Sequence, residues 1–262
     1  MVTKNADQAE TSTLAKEARS SALAHLHPKS AEHKEETLTD GSLAFLLDVD
    51  NTLLDNDAIK HDWNEQLHAT LGTTLTTRFW QIYEQVRQER AVVDIPQALS
   101  RLREQTPKSE LDEQTYQYVR SLFFEYPFSN RLYPGAIETL EHLRTMGLTV
   151  IVSDGDPLFQ SEKIIKSHLA QAVEGRVLLF THKQEHFDDI VRAYTASHYV
   201  MVDDHPQILH ESKQIMGNWL TTVFVKQGHY AIDELPHGFV PDLTVLHIAD
   251  LSHYHKQALL GT

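Results

Sequence analysis

Short apolar runs recur along the second half of the chain at a spacing that few architectures accommodate. Residues 148–152 (LTVIV), 177–180 (VLLF), 199–202 (YVMV) and 221–225 (TTVFV) are such runs, and 243–246 (LTVL) is a further candidate. Between them lie stretches of helical period: Ile137, Leu140 and Leu143; Ile164, Ile165 and Leu169; residues 187–194; Ile208, Leu209 and Ile215. Gly147 and Gly217 stand where helix C-caps are expected. Strands that alternate with helices imply βαβ units, whose crossovers lay helices on both faces of a parallel sheet. The predicted fold class is α/β, a doubly wound parallel sheet.

An earlier run, residues 43–49, supplies the first strand, and it ends abruptly in Asp48 and Asp50, with Thr52 two residues further on. Two carboxylates at the end of a buried strand are costly unless a cation or a reaction uses their charge. Beyond Asp55 the period becomes helical. Ile59, Trp63, Leu67 and Leu71 recur every four residues up to Gly72, and Leu75, Phe79, Ile82, Tyr83 and Val86 continue the stripe. Pro96 sits in a first helical turn ahead of Leu99 and Leu102, and Tyr116, Val119, Leu122 and Phe123 form the last stripe. Residues 56–130 therefore read as an all-helical insert after the first strand. Residues 41–55 and 131–262 form the α/β core. Residues 1–40 contain no aromatic residue and few large aliphatics, and they read as a flexible tail.

Composition narrows the function classes. The net charge of −14 argues against a surface that follows a nucleic-acid backbone. There is no cysteine, so disulfides, thiolate metal sites and cysteine nucleophiles are excluded. No apolar run has the roughly 20 residues of a membrane span, and no basic segment precedes an apolar one at the N-terminus. The expectation is a cytoplasmic protein, monomer or homodimer, with no membrane or nucleic-acid partner. Seventeen histidines are many, but His25/His27 and His253/His255 lack zinc-ligand spacing and read as exposed.

In open parallel sheets, ligands bind outside the carboxyl ends of the strands. The residues there are Asp48 and Asp50, then Ser153, then Lys183 (with Lys163 and Lys166 as competitors), then Asp203 and Asp204. Each alone reads as a turn or surface residue. Together they suit phosphoryl transfer, which asks mainly for positioning and charge stabilisation. Carboxylates hold a hard cation, one of them can attack phosphorus, and a second can handle protons. A hydroxyl with backbone N–H groups can cradle the phosphoryl oxygens, and a lysine can offset developing charge.

Asp48-Val49-Asp50-Asn51-Thr52 resembles the D-x-D-x-T motif of the haloacid dehalogenase (HAD) superfamily. Ser153, the Lys183 region and Val202-Asp203-Asp204 resemble its second, third and fourth motifs in order, over residues 43–250. The helical insert resembles the superfamily's C1-type cap. The resemblance implies a Mg2+-dependent phosphatase of a small phosphorylated metabolite. Asp48 would be nucleophile and metal ligand. Asp50 would be general acid/base and lend its backbone carbonyl to the metal. Thr52 would orient that loop at the phosphate site, and Ser153, Asp154 and Gly155 would bind phosphate. Lys183 would stabilise the transferring group, and Asp204 and Asp203 would complete the metal site. Three positions depart from the pattern: Ile208 stands where a further acid is usual, Asp154 where asparagine is common, and Gln184 where proline often follows the lysine.

Alternative readings are a non-catalytic HAD-like binding module, a haloacid dehalogenase and a phosphonate hydrolase. Dehalogenation needs no second aspartate, so Asp50 favours phosphate chemistry. A phosphonate hydrolase needs a cap lysine in an apolar setting, and Lys60 and Lys108 have none evident in sequence. Arg78, Arg87, Arg90, Arg101 and Arg103 read as solvated helix faces, and Trp63, Phe79, Trp80 and Tyr83 as bundle core.

Overall fold

The structure, a computed structural model, describes residues 42–260. The expected tail and the His25/His27 pair lie outside these residues. Six strands form one parallel sheet: β1 (Leu43–Leu47), β2 (Leu148–Asp154), β3 (Val177–Phe180), β4 (His198–Asp203), β5 (Leu220–Val225) and β6 (Leu243–Val245). Their order is β3-β2-β1-β4-β5-β6. Chain direction across the sheet reverses between β1 and β4, and the crevice outside the strand ends at that point is where such sheets bind ligands. Asp48 leaves β1 on one side of it, and Asp203 and Asp204 end β4 on the other.

Side chains alternate across the sheet, as the two-residue period of a strand requires. Phe45, Leu47, Ile151, Val200 and Val202 join the core on one face. Ala44, Leu46, Val150, Val152, Tyr199 and Met201 join a second cluster on the other. All five residues of β1 are buried, which explains its unbroken apolar sequence.

The segment between β1 and β2 opens with helices α1 (Asn56–Arg90), α2 (Ile95–Gln105) and α3 (Glu113–Phe124) and contains no strand. Aspartates start all three: Asp55, Asp94 and Asp112 each accept a hydrogen bond from a backbone N–H three residues on. Gly72 breaks α1 at φ 70°, ψ 173°, where the sequence places a helix end. The two crossings between this cap and the core run side by side, with Asp55 N–H donating to Arg131 O and Tyr133 N–H to Leu53 O. Helix α4 (Ala136–Arg144) then leads into β2, and α5 (Pro157–Lys166) and the short α6 (Leu169–Ala172) follow it. Helix α7 (Phe187–Ala193) precedes β4, and α8 (Pro206–Met216) precedes β5. Phe159 of α5 reaches into an aromatic cluster with Trp63, Phe124 and Phe128, at centroid distances of 6.0, 5.7 and 6.2 Å. Its burial contributes about 2–3 kcal/mol to docking of cap on core.

Gly147 N–H donates to Leu143 O in the last turn of α4, and the glycine serves a second purpose besides. Helix α4 ends at Arg144, and Gly147 lies where its missing side chain matters: a Cβ there would stand 2.4 Å from the carbonyl oxygen of Leu43. The close approach lets β2 start beside β1.

Candidate active site

The turn after β1 is wound tightly. Leu53 and Leu54 donate backbone hydrogen bonds to Val49 O, and Asn51 donates to Leu54 O. Asn51 takes a left-handed conformation (φ 60°), which asparagine tolerates better than most residues. Its side chain accepts from Asp57 N–H at 3.1 Å, and it lies 3.2 Å from His229 Nδ1. His229 N–H in turn donates to Asp57 at 2.8 Å. His229 thus ties the loop after β5 to the Asp48 loop.

That tie yields a stability prediction. Gly228 also has positive φ (64°), and a Cβ on it would fall 2.5 Å from Asn51 Cβ and Cγ. Gly228→Ala is expected to destabilise by about 1–3 kcal/mol, lowering Tm by roughly 2–4 °C per kcal/mol. A thermal melt unchanged from wild type would overturn this account of the loop.

Of the three candidate lysines, Lys183 meets Asp48 and Lys163 meets Asp50. The Lys183 ammonium forms a buried ion pair with Asp48 and lies 2.8 Å from Asp203 Oδ2. Burial pulls this lysine down, but Asp203, Asp48 and Asp154 outweigh it and hold the ammonium above its ordinary range. Asp154, expected beside the phosphate, instead accepts from Lys183 N–H at 2.8 Å and so fixes the lysine's loop. Burial raises the Asp154 carboxyl, against the pull of Lys183. Lys166 pairs with Glu162 at 3.1 Å and bonds Phe124 O, away from these carboxylates.

Asp48, Asp203 and Asp204 each offer an oxygen to a cluster spanning no more than 4.8 Å, and all three are buried. Burial raises all three, Asp48 to about 7 and Asp204 to about 10, with neighbouring carboxylates adding to the effect. Asp204 Oδ2 is buried without a hydrogen-bond partner. An orphaned carboxylate oxygen inside a cluster of three is what a hard cation would satisfy, so the donor set fits a divalent metal. Ile208 packs against the second core cluster and adds no acid. Thr52, expected to face the phosphate, is fully buried: its Oγ1 accepts from Asp204 N–H at 3.0 Å and lies 3.5 Å from Asp204 Oδ1. It joins the Asp48 loop to the end of β4.

Ser153, expected at the phosphate, is the penultimate residue of β2 and is buried. Its Oγ lies 2.9 Å from Gln160 Nε2. Gly155 departs from the phosphate-binding expectation. Strand β2 extends through Asp154, and the Gly155 N–H carries the ladder on by donating to Phe180 O at 3.2 Å. That N–H is already used.

Gln160 escaped sequence reasoning, and Lys163, named only as a competitor of Lys183, takes a role of its own. Lys163 donates to both oxygens of Asp50, at 2.7 and 2.9 Å, and to Asn56 Oδ1 at 3.3 Å. Gln160 bridges Ser153 and Asp50, the latter at 3.4 Å. Gln160 and Lys163 are three apart on α5, so they share a helix face. Pro157, at the first position of that helix, is the sequence signal that could have found this face. A lysine following a hydroxyl motif by ten residues carries no signal by itself.

Lys60, read as having no apolar setting, lines an enclosed cavity of about 50 Å³ with Trp63, Tyr83, Val93 and Ile95 from the cap. The i, i+3 spacing from Lys60 to Trp63 puts both on one face of α1. Asp50, Asn56 and Lys163 form the cavity's other wall. Lys108 is exposed, as are His253 and His255.

Residues 43–207 match the family model of haloacid dehalogenase-like hydrolases. A haloacid dehalogenase-like hydrolase from Burkholderia xenovorans LB400 is 41% identical, with a TM-score of 0.76 over 83% of this chain and 98% of that one. The chain belongs to the haloacid dehalogenase-like hydrolase family. More distant structures share the fold. A HAD hydrolase from Bacillus subtilis bound to magnesium is 16% identical, with a TM-score of 0.57 over 81% of this chain and 97% of that one. The L-2-haloacid dehalogenase from Xanthobacter autotrophicus is also 16% identical, with a TM-score of 0.55 over 80% and 96%. No curated protein matches the sequence. No described helix is long and apolar enough to cross a membrane.

Proposed function

We propose that this hydrolase is a magnesium-dependent phosphatase of small phosphate esters. The observation that carries the reading is Asp50, a second carboxylate beside the Asp48 nucleophile, held at the edge of the cavity by Lys163, which also donates to Asn56. Displacement of halide from carbon needs no proton donor, whereas an alkoxide leaving phosphorus does.

Asp48 attacks phosphorus as the ester P–O bond breaks, and Asp50 gives its proton to the departing oxygen. Water then attacks the Asp48-bound phosphoryl group, Asp50 takes the proton, and Asp48 leaves as free carboxylate with inorganic phosphate. Lys183 offsets charge on Asp48 and the transferring group. Ser153 and Gln160 are placed to meet phosphoryl oxygens. Asp48, Asp203 and Asp204 would hold Mg2+, which when bound supplies charge neutralisation at phosphate oxygen. The cap excludes water, and its opening admits substrate.

The test is hydrolysis of p-nitrophenyl phosphate with Mg2+, in parallel with chloride release from 2-chloropropionate. Phosphate release that stops with EDTA and resumes with Mg2+ is expected. Chloride release without phosphatase activity would replace this reading with dehalogenation. Magnesium binding with neither activity would favour a non-catalytic module.

A further inference from the structure

The cavity beside Asp50 is unevenly charged in a way that singles out one residue. Its acidic wall is already engaged. Asp50 pairs with Lys163, Asp154 accepts from Lys183 N–H, and Asp156 caps α5 by accepting from Leu158 and Phe159 N–H. Lys163 spends its donors on Asp50 and Asn56. The cap arginines Arg87, Arg90, Arg101 and Arg103 pair with Glu84, Asp94, Glu89 and Glu113, and none lines the cavity.

Lys60 is different. It is only partly exposed, it lines the cavity, and it makes no hydrogen bond or ion pair among the described residues. One turn along α1, Trp63 lines the same cavity, and its indole N–H is buried with no acceptor. A buried donor without a partner is rare and costs free energy comparable to a lost hydrogen bond. An unpaired ammonium and an orphaned indole N–H, on residues that line one cavity from the same helix face, call for an acceptor that carries negative charge.

We infer that Lys60 and Trp63 form a carboxylate subsite, so that the preferred substrate is a small phosphate ester whose leaving group ends in a carboxylate. This deepens the phosphatase reading and rests on it. Asp50 stands in the same cavity, so the ester oxygen it protonates and the carboxylate held by Lys60 belong to one short leaving group. A cavity of about 50 Å³ holds a few waters or a fragment of a few heavy atoms. Two or three carbons between phosphate and carboxylate meet that limit, and long or branched leaving groups do not.

The experiment compares 2-carboxyethyl phosphate with 2-carbamoylethyl phosphate, the amide that matches it in size but lacks the charge, using the full chain and Mg2+. The expected result is a kcat/KM ratio of at least about 10 in favour of the carboxylated ester, falling by about 10–100-fold in Lys60→Met through KM, and largely restored in Lys60→Arg. Circular dichroism and thermal melts of each variant separate loss of fold from loss of preference. A ratio near one in wild type, or a ratio unmoved by Lys60→Met, overturns the subsite. Failure of the phosphatase reading looks different: neither ester is turned over. In that event 2-chloropropionate serves as probe, since it too carries a carboxylate. A KM for chloride release that rises in Lys60→Met sustains the subsite without the phosphatase, and an unchanged KM removes both.

Discussion

Asp48→Asn is expected to lower turnover of p-nitrophenyl phosphate by about 10⁴-fold or more, with the fold intact. Removal of a covalent nucleophile typically costs that much, because the remaining machinery positions a group that nothing attacks. The amide keeps the size of the carboxyl, and Lys183 retains Asp203 at 2.8 Å, so no buried cation is left alone. The loss should fall on kcat. Ser153 and Gln160, which would meet the phosphoryl oxygens, are untouched, so the variant should still bind ester. Phosphate transfer to the protein, followed by mass spectrometry after acid quench, should be visible in wild type and absent in Asp48→Asn. Activity within tenfold of wild type would remove Asp48 as nucleophile and the mechanism with it.

The sheet was legible in sequence because buried parallel strands leave an unmistakable record: short, mostly apolar runs rich in β-branched residues. All six strands lie where the apolar runs place them, within a few residues at their ends. The site was legible to the same extent that strand ends define it. Asp48, Lys183, Asp203 and Asp204 meet there because the strand order brings β1 and β4 together. What escaped was whatever depends on where helices lie over the crevice. Gln160 and the pairing of Lys163 with Asp50 come from a helix face, and the placing of Lys60 and Trp63 beside Asp50 from a cap whose docking no local pattern encodes. Backbone hydrogen bonds escaped for a related reason. Whether Gly155 N–H is free or held by Phe180 O depends on how far β2 pairs with β3, a register that the residues around Gly155 do not reveal. Thr52 shows how a correct position can serve another end: the hydroxyl sits in the expected loop but holds Asp204 N–H.

Asp204→Asn is expected to make the metal-free protein more stable while abolishing its magnesium response. Asp204 lies buried against Asp203 and Asp48, and burial first, then those two charges, push its carboxyl from 3.8 up to about 10. Between those values the folded state holds a proton that the unfolded state has released, so stability falls as pH rises across that window. At pH 7 the cost reaches up to about 4 kcal/mol. Asparagine carries no titrating proton and keeps an oxygen for the Thr52 hydroxyl. Its amide nitrogen takes the place of the orphaned Oδ2 and can donate to a neighbouring carboxylate. A gain of about 1–3 kcal/mol at pH 8 is expected, several degrees in Tm, shrinking toward pH 4, where wild-type Asp204 is protonated in much of the unfolded ensemble as well. Magnesium should reverse the ranking. A ligand that binds only the folded state stabilises it by mass action, so wild type should gain Tm with added Mg2+, more at pH 8 than at pH 5.5 because protons compete for the same oxygens. Asp204→Asn should gain little. Equal melting temperatures for the two metal-free proteins at pH 8, or a difference that does not change with pH, would show that the three carboxylates carry no such strain. The case for a resident cation would then lose its physical basis, since that case rests on charge the folded chain alone does not balance.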